Sequence, residues 1–365
     1  MTHTVSERIA LVAPSAEAAA VLRKDLIKDL VGRGHRVLCL TPPGPGRYQR
    51  MLRDYGAQHR TVEVPDQTLR LLVEWKTLSS LITHFNDWQP NIVMGFGPRT
   101  LMLAAIAARR AGVRRIVSLV NSLPSDGIES IGRRRFAYAV RTSDAIVFHN
   151  RDHARALADL GMLPPNLPNA IVPGSGVNLA DFKSAPLPPY DEGVVFLMLA
   201  RLERRRGVLE YKAAAQAIKA QWPTARFRFA GPESNEVDAI PRDALSGVIE
   251  DLGQLEDVRP ALTACHVFVY PSYSEGMPRA VLEALATGRP VISTRTPGCK
   301  ETVDEKVSGC LVPPADAPAL ARAMAGYLAR PELLPIGARA ARLKAERRFD
   351  VRDVNPTLLR ILGLT

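Results

Sequence analysis

The alternation of apolar and polar positions divides the chain into two stretches of the same kind. Ile9-Ala-Leu-Val-Ala13 is an unbroken apolar run of strand length. Apolar residues then recur at helical spacing at Ala20, Leu22, Leu26, Leu30 and Val31, until Gly32 and Gly34 end the pattern, and Val37-Leu-Cys-Leu40 is a second apolar run. Strands that read as continuous apolar runs are buried on both faces, and with an amphipathic helix between them they form a βαβ unit of a parallel sheet. Further strands are expected at Thr61–Val64, Ile92–Phe96, Ile116–Val120 and Ala145–Phe148, with helices over Leu69–Phe85 and Thr100–Ala111. Ile171-Val-Pro-Gly-Ser-Gly-Val177 is strand-like and then turns.

Ser184-Ala-Pro-Leu-Pro-Pro189 is a stiff, proline-rich stretch of linker type. The pattern restarts at Val194–Leu199. It continues with a helix near Val208–Gln221, strands at Phe227–Ala230 and Val267–Tyr270, a helix from Pro278, and a strand at Pro290–Ser293. Helices over Ala317–Ala329 and on to Arg348 follow, then a short amphipathic one at Val351–Leu362. The expectation is an α/β protein of two doubly wound domains, 1–183 and 184–350, with a terminal helix in 351–365. Such sheets take ligands at the carboxyl ends of their strands.

The strand Val267–Tyr270 runs into Pro271-Ser-Tyr-Ser-Glu-Gly-Met-Pro-Arg-Ala-Val-Leu-Glu283. Gly276 allows a tight turn, and Pro278 suits a first helical turn, where its missing N–H costs nothing. The N–H groups of Met277, Arg279 and Ala280 would then point past the sheet edge, where a phosphate is the natural occupant. Two acids flank that place. Glu275 and Glu283 can accept hydrogen bonds from sugar hydroxyls, and Glu283 can equally be an acid that complements the helix dipole. Arg201, at the end of strand Met198–Leu199, and Arg206 can clamp a diphosphate and stabilise it as a leaving group. Arg204 and Arg205 read as a solvated basic turn.

These residues carry a resemblance. Glu275-x7-Glu283 within Pro-Ser-Tyr-Ser-Glu-Gly-Met-Pro, followed by Glu-Ala-Leu-Ala-Thr-Gly-Arg-Pro-Val-Ile, resembles the retaining glycosyltransferases of the GT-B fold, family four. Ala200-Arg-Leu-x3-Arg206-Gly207 is similar to that family's diphosphate clamp, with an arginine in the lysine place, so a fork replaces a point charge. Asn150-x-Asp152, Gly174-Ser-Gly-Val-Asn178, Gly231-Pro232 with Asn235, and Asp257-Val-Arg-Pro260 resemble a subgroup of bacterial enzymes that add hexoses or N-acetylhexosamines to undecaprenyl-diphosphate-linked sugars. The match runs almost unbroken from Arg201 to Pro314 and is looser before it.

The resemblance implies two Rossmann-like domains facing each other across a cleft, with the terminal helix crossing back onto the first. It implies a nucleotide-sugar donor, UDP ahead of GDP, a glycan or polyprenyl-diphosphate-linked acceptor, and no required cofactor or divalent metal. Glu275 would contact the transferred sugar and Glu283 the ribose, with Arg201 and Arg206 on the diphosphate. Backbone groups from Gly276 through Met277 and Pro278 to Arg279 would bind the distal phosphate. Gly231, Leu255 and Asp257 would frame the nucleotide. On the acceptor side the candidates are Ser15, Asn121 and Arg99. Two departures touch this side: Ala13-Pro-Ser-Ala16 replaces a glycine-rich loop, and Ser118-Leu-Val-Asn-Ser122 lacks the histidine that many relatives present. Asn121 can take its place by hydrogen bonding or be a turn residue.

Charge adds one feature. The net charge is +11, and residues 1–183 hold 24 Lys+Arg against 15 Asp+Glu, so the excess sits in the first half. Gly132-Arg-Arg-Arg-Phe-Ala-Tyr-Ala-Val-Arg141, within Ile128–Thr142, mixes cations and apolar residues at helical spacing. It fits an anionic membrane surface, or an ordinary helix with an arginine-rich solvent face. Aromatics do not interleave the basic clusters as in nucleic-acid modules, so no nucleic-acid partner is expected. No Gly-x-Gly-x-x-Gly follows a strand, which argues against a dehydrogenase. Cys39, Cys265, Cys299 and Cys310 have neither paired nor metal-type spacing, and no leader or membrane span is read, so the expected place is the cytoplasm, peripheral to the inner face of the plasma membrane. A second reading, an enzyme of the same fold that rearranges or hydrolyses nucleotide sugars without a sugar acceptor, stays open, as does, more remotely, a non-enzymatic nucleotide-binding protein.

Overall fold

The structure, a computed structural model, describes residues 6–62, 70–123 and 130–364, and side chains at 70–73 and 130–132 also fall outside the description. The chain forms two compact units: residues 1–175 with 352–365, and residues 176–351. The proline-rich stretch Ser184–Pro189 therefore lies inside the second unit.

The first unit is a parallel sheet of β1 (Arg8–Val12), β2 (Arg36–Thr41), β3 (Gln58–Thr61), β4 (Ile92–Phe96), β5 (Arg115–Val120), β6 (Ala145–Phe148) and β7 (Asn169–Ile171), in the order β3-β2-β1-β4-β5-β6-β7. Its helices are α1 (Ala16–Leu22), α2 (Lys24–Gly32), α3 (Gly46–Asp54), α4 (Arg70–Trp88), α5 (Pro98–Arg110), α6 (Ser130–Thr142) and α7 (Arg151–Asp159). The apolar runs are central strands: Ile9, Leu11, Val37, Met94 and Leu119 are buried on one face, and Ala10, Leu38, Leu40, Val93 and Ile116 on the other. The third strand is displaced from its expected place at Thr61–Val64, and residues 63–64 lie outside the described residues. Gln-His-Arg-Thr is an edge strand paired only with β2, so half exposure removes the apolar run by which it would be read.

The helix expected through Ala20–Val31 is broken at Arg23, whose backbone sits at φ −122, ψ 11. The break turns Arg23 inward. Its side chain is 1% exposed, lies 5.0 Å over the Phe96 ring, and places Nη2 3.2 Å from His149 Nε2. Burial first, and then the Arg23 cation, hold His149 well below the usual imidazole range, so the ring is neutral and can accept from the guanidinium.

The second unit is a parallel sheet of β8 (Val195–Leu199), β9 (Arg226–Ala230), β10 (Glu250–Asp251), β11 (Val267–Tyr270), β12 (Val291–Thr294) and β13 (Gly309–Val312), in the order β10-β9-β8-β11-β12-β13. Helices α8 (Val208–Lys219), α9 (Arg259–Thr263), α10 (Arg279–Ala286), α11 (Cys299–Thr302), α12 (Ala317–Ala329) and α13 (Leu333–Arg348) cover it. The last helix, α14 (Val351–Leu362), returns to the first unit: Val354, Leu358, Leu359 and Leu362 join the core of Ile9, Leu11 and Val37, and Arg115 donates to Ile361 O through Nε at 2.9 Å and Nη2 at 2.7 Å.

Arg289 ties the proline-rich stretch to the second unit. It is wholly buried and donates to the carbonyls of Leu262, Ala185, Gly288, Pro186 and Thr263 at 2.8–3.3 Å. Five acceptors replace its hydration, which is what makes a buried guanidinium tolerable. Arg289→Met strands those carbonyls and is expected to lower stability by about 2–4 kcal/mol, read from the urea unfolding midpoint of the second unit.

Candidate active site

In the second sheet β8 and β11 are neighbours, and the chain winds outward from them in opposite directions. Their loops therefore diverge at the carboxyl edge and leave a crevice, the place where doubly wound sheets bind ligands. Both loops carry the chemistry. The β8 loop holds Arg201, Glu203, Arg205 and Arg206; the β11 loop holds Ser272, Tyr273 and Glu275.

Close backbone approach keeps the two loops together. Gly207 has φ +74, and a Cβ there would lie 2.2 Å from Pro271 O. Tyr273 N and Ser272 Oγ donate to Arg205 O at 2.9 and 3.2 Å, and Tyr273 OH donates to Glu210 at 2.6 Å. From the β12 side, Ser293 Oγ donates to Tyr270 O at 2.9 Å and Thr294 Oγ1 to Ser272 O at 2.5 Å. Gly298, at φ +78, brings a third loop against the second: a Cβ there would meet Gly276 O at 2.3 Å and Glu275 O at 2.7 Å.

Within this frame Arg206 is ion-paired to Glu275. Glu275 Oε1 also accepts from Tyr270 OH at 2.8 Å and Ser272 Oγ at 3.1 Å, so three side chains converge on one carboxylate oxygen. Burial raises the Tyr270 phenol above its usual range and keeps it a neutral donor. Arg206 Nε donates to Glu203 Oε2 at 3.3 Å. Glu203, 1% exposed, also receives Arg205 at 2.9 Å and Ser234 at 2.9 Å. Arg205 is exposed, as expected of a basic turn, but it is also paired with Glu203, and its backbone N–H donates to Asp238. Arg204 and Arg201 are exposed.

Beyond Glu275, Gly276, Met277 and Pro278 are buried, and Pro278 is the N-cap of α10 rather than its first residue. No side chain caps this helix, so its N-terminus is open to an anion. Arg279 donates to Glu283 at 2.7 Å one turn on, and Glu283 is 8% exposed. On the other flank Gly231 follows β9, donates to Gly253 O at 2.9 Å, and leaves no room for a Cβ, which would fall 1.6 Å from Ala200 O. Leu255 packs on the core. Asp257 is exposed and held by Arg259 through two 2.8 Å bonds, and that pairing holds its carboxyl below the usual range. The second-unit candidates thus share one sheet edge. The sequence reading missed Glu203 and Tyr270; the signal was an acid inside the basic run and an aromatic at a strand's end.

In the first unit, Ser15 caps α1 by accepting from Ala18 N at 3.0 Å. Arg99, at the start of α5, lies 3.9 Å from Glu74, which also holds Arg135 at 2.6 Å. A cavity of about 240 Å³ opens beside Arg99, lined by Val12, Leu40, Val62, Leu81 and Leu103 with Thr41, Thr77 and Thr100. Asn121 follows β5, and its Oδ1 is buried without a hydrogen-bond partner among the described residues. Among those residues no cluster of three or more His, Cys, Asp or Glu is placed for a metal, and no helix is long and apolar enough to cross a membrane.

Comparison with known proteins gives the family and the fold. Residues 193–330 match the family model described as glycosyl transferases group 1, and residues 18–174 match a glycosyl transferase 4-like domain. The chain belongs to the group 1 glycosyltransferases, and it is a hexosyltransferase. It is similar to the N,N'-diacetylbacillosaminyl-diphospho-undecaprenol alpha-1,3-N-acetylgalactosaminyltransferase of Campylobacter jejuni, with 24% identity over 83% of this chain and 84% of that protein. It is also similar to the UDP-Gal:alpha-D-GlcNAc-diphosphoundecaprenol alpha-1,3-galactosyltransferase of Escherichia coli, with 27% identity over 67% and 68%. Among solved structures, Anabaena HepE in complex with UDP-glucose shares the fold, with a TM-score of 0.81 and 19% identity over 98% of this chain and 99% of that one. The two parallel α/β units are thus those of a GT-B glycosyltransferase.

Gly298→Ala would force the β12 loop off the Glu275–Gly276 backbone. It is expected to lower stability by about 1–3 kcal/mol in thermal unfolding. Gly32→Ala, with nothing within 4 Å and no positive φ, is the neutral or mildly stabilising control.

Proposed function

We propose that this hexosyltransferase moves a hexose or N-acetylhexosamine from a UDP-sugar to a polyprenyl-diphosphate-linked glycan with retention of anomeric configuration. The observation that carries the reading is the convergence of Arg206, Tyr270 and Ser272 on Glu275 beside the uncapped N-terminus of α10. One oxygen of Glu275 is held by the protein, which leaves the other for a sugar hydroxyl. The helix N-terminus, Arg206 and Arg201 take the diphosphate, Glu283 the ribose, and the Gly231, Leu255 and Asp257 flank the base.

In the transfer itself the acceptor hydroxyl oxygen attacks the anomeric carbon from the face the diphosphate leaves. The bond from that carbon to the phosphate oxygen breaks, its electron pair stays on the diphosphate, and the hydroxyl proton passes to the departing oxygen. The enzyme's largest contribution is electrostatic, the neutralisation of charge growing on the diphosphate. No divalent metal is required in this reading. The acceptor lies on the first unit, where the apolar cavity beside Arg99 suits a lipid-linked diphosphate, Ser15 borders the same sheet edge, and Asn121 Oδ1 is an acceptor awaiting a hydroxyl donor. Relatives supply the substrate class: the Campylobacter and Escherichia enzymes are named for undecaprenyl-diphosphate-linked acceptors.

The first unit also supports contact with an anionic bilayer from the cytoplasmic side. In α6, Phe136 and Val140 are spent on the core, while Arg133, Arg134 and Arg141 are exposed. Residues 128–129 of the basic segment lie outside the described residues. Tyr138 is 58% exposed, and on α4 Trp75, next to the Glu74 that holds Arg135, is 70% exposed. Cations beside exposed aromatics suit the headgroup region.

UDP-sugars, and not GDP-sugars, are expected to raise the melting temperature of the protein, because a ligand bound only to the folded state stabilises it. Glu275→Ala is expected to cut transfer by about 10²–10³-fold while the protein stays folded. UDP release that is indifferent to any lipid-linked acceptor would instead favour an acceptor-independent enzyme. In vesicle co-sedimentation the protein is expected to follow anionic and not neutral vesicles, and Arg133→Glu with Arg134→Glu to abolish the difference.

A further inference from the structure

Arg206 uses two edges of its guanidinium at once. Nε faces the buried carboxylate of Glu203 at 3.3 Å, and Nη1 faces Glu275 and the Tyr270 hydroxyl, the latter at 3.4 Å. Nη2 carries no hydrogen bond to the described residues. Glu203 is itself fixed from every side. Arg205 and Arg206 share its Oε2, Ser234 donates to its Oε1, and its backbone bridges Ala239. The neighbouring backbone is pinned too, with Arg204 N donating to Asp238 O at 2.8 Å and Ile240 N to Leu202 O at 2.9 Å. A wholly buried carboxylate thus holds two cations, Arg205 at the surface and Arg206 facing the Glu275 loop.

We propose that Glu203 is the positioning residue of the donor site: it holds Arg206 by the Nε edge so that the free Nη2 meets the leaving diphosphate, and it is the reason position 206 needs an arginine. The proposal rests on the donor-site reading above. A lysine ammonium is a single point on a flexible stem and cannot face Glu203, Glu275 and a phosphate in one fixed plane; the guanidinium fork can. Arg206→Lys keeps the charge and loses the plane. Glu203→Gln keeps the shape and loses the ionic grip on Nε. In both, Arg206 or its replacement collapses onto Glu275, the remaining carboxylate, and the cation is displaced from where charge develops. Displacements of about 1 Å at such a place cost about 10²-fold in rate.

The test is a double-mutant cycle on the full chain with wild type, Glu203→Gln, Arg206→Lys and the double variant. Each is read by UDP calorimetry, by UDP release from the UDP-sugar that best stabilises the wild type, and by melting temperature. Each single variant is expected to lower kcat by about 30–100-fold and to change the donor KM by no more than about threefold. The double variant should fall within about threefold of Arg206→Lys alone, because both changes break one contact. Multiplying losses in the double variant would overturn the proposal, since Glu203 would then act independently of Arg206. So would a Glu203→Gln protein whose melting temperature falls while kcat per folded molecule is unchanged, the mark of a merely structural acid. Should Glu203→Gln not fold, Arg206→Lys still decides: wild-type kcat in that variant sinks the requirement for a fork. Wild-type protein that binds no UDP overturns the donor-site reading and this inference together, whereas UDP binding with an unaffected Arg206→Lys overturns only this inference.

Discussion

The approach of Gly207 to Pro271 is the constraint on which the second unit's site depends. The two loops leave adjacent parallel strands and wind in opposite directions, so nothing in the sheet itself keeps them together. A Cβ at 207 would stand 2.2 Å from the Pro271 carbonyl oxygen, which only a glycine in a left-handed conformation avoids. Once the backbones touch, Ser272 and Tyr273 reach Arg205 O, and Arg206 is brought level with Glu275. The short reach of the hydroxyl donors on Glu275 then follows from where the loops sit, and chemistry is built on that contact rather than on either loop alone.

That arrangement also explains how a cluster of like charges is tolerated. Arg204, Arg205 and Arg206 are consecutive, and three adjacent cations at a sheet edge would repel one another. The structure spreads them: Arg204 goes to water, Arg205 to Glu203 and Asp238, Arg206 to Glu203 and Glu275. Glu203 is therefore worth more than one ordinary pairing, because its removal would leave both the exposed Arg205 and the part-buried Arg206 short of a counter-charge.

Much of this was legible in the amino-acid pattern, for a physical reason. Central parallel strands are buried on both faces, so Ile9–Ala13, Val37–Leu40 and Val267–Tyr270 announce themselves as apolar runs. The edge strand Gln58–Thr61 is half exposed and polar, and reads two or three residues out of place. The Pro271–Glu283 stretch was legible because its turn, proline and acids are local in sequence. Arg23 was not, because an arginine at helical spacing looks like a solvent-face residue until His149, over a hundred positions away, turns up beside it. Glu203 was hidden in the same way within Glu-Arg-Arg-Arg, where burial depends on Ser234 and on the bridge to Ala239. Long-range partners, not local pattern, decide which charges are buried.

The terminal helix has a consequence for the order in which the protein comes into being. Val354, Leu358, Leu359 and Leu362 complete the core formed by Ile9, Leu11 and Val37, so the first unit needs residues that are made after the whole of the second. All of residues 176–351 leave the ribosome before that apolar face is covered. Domains of most chains close one after another during synthesis. Here the amino-terminal unit must wait, with its face open, while the second unit, whose own residues are contiguous, can close first.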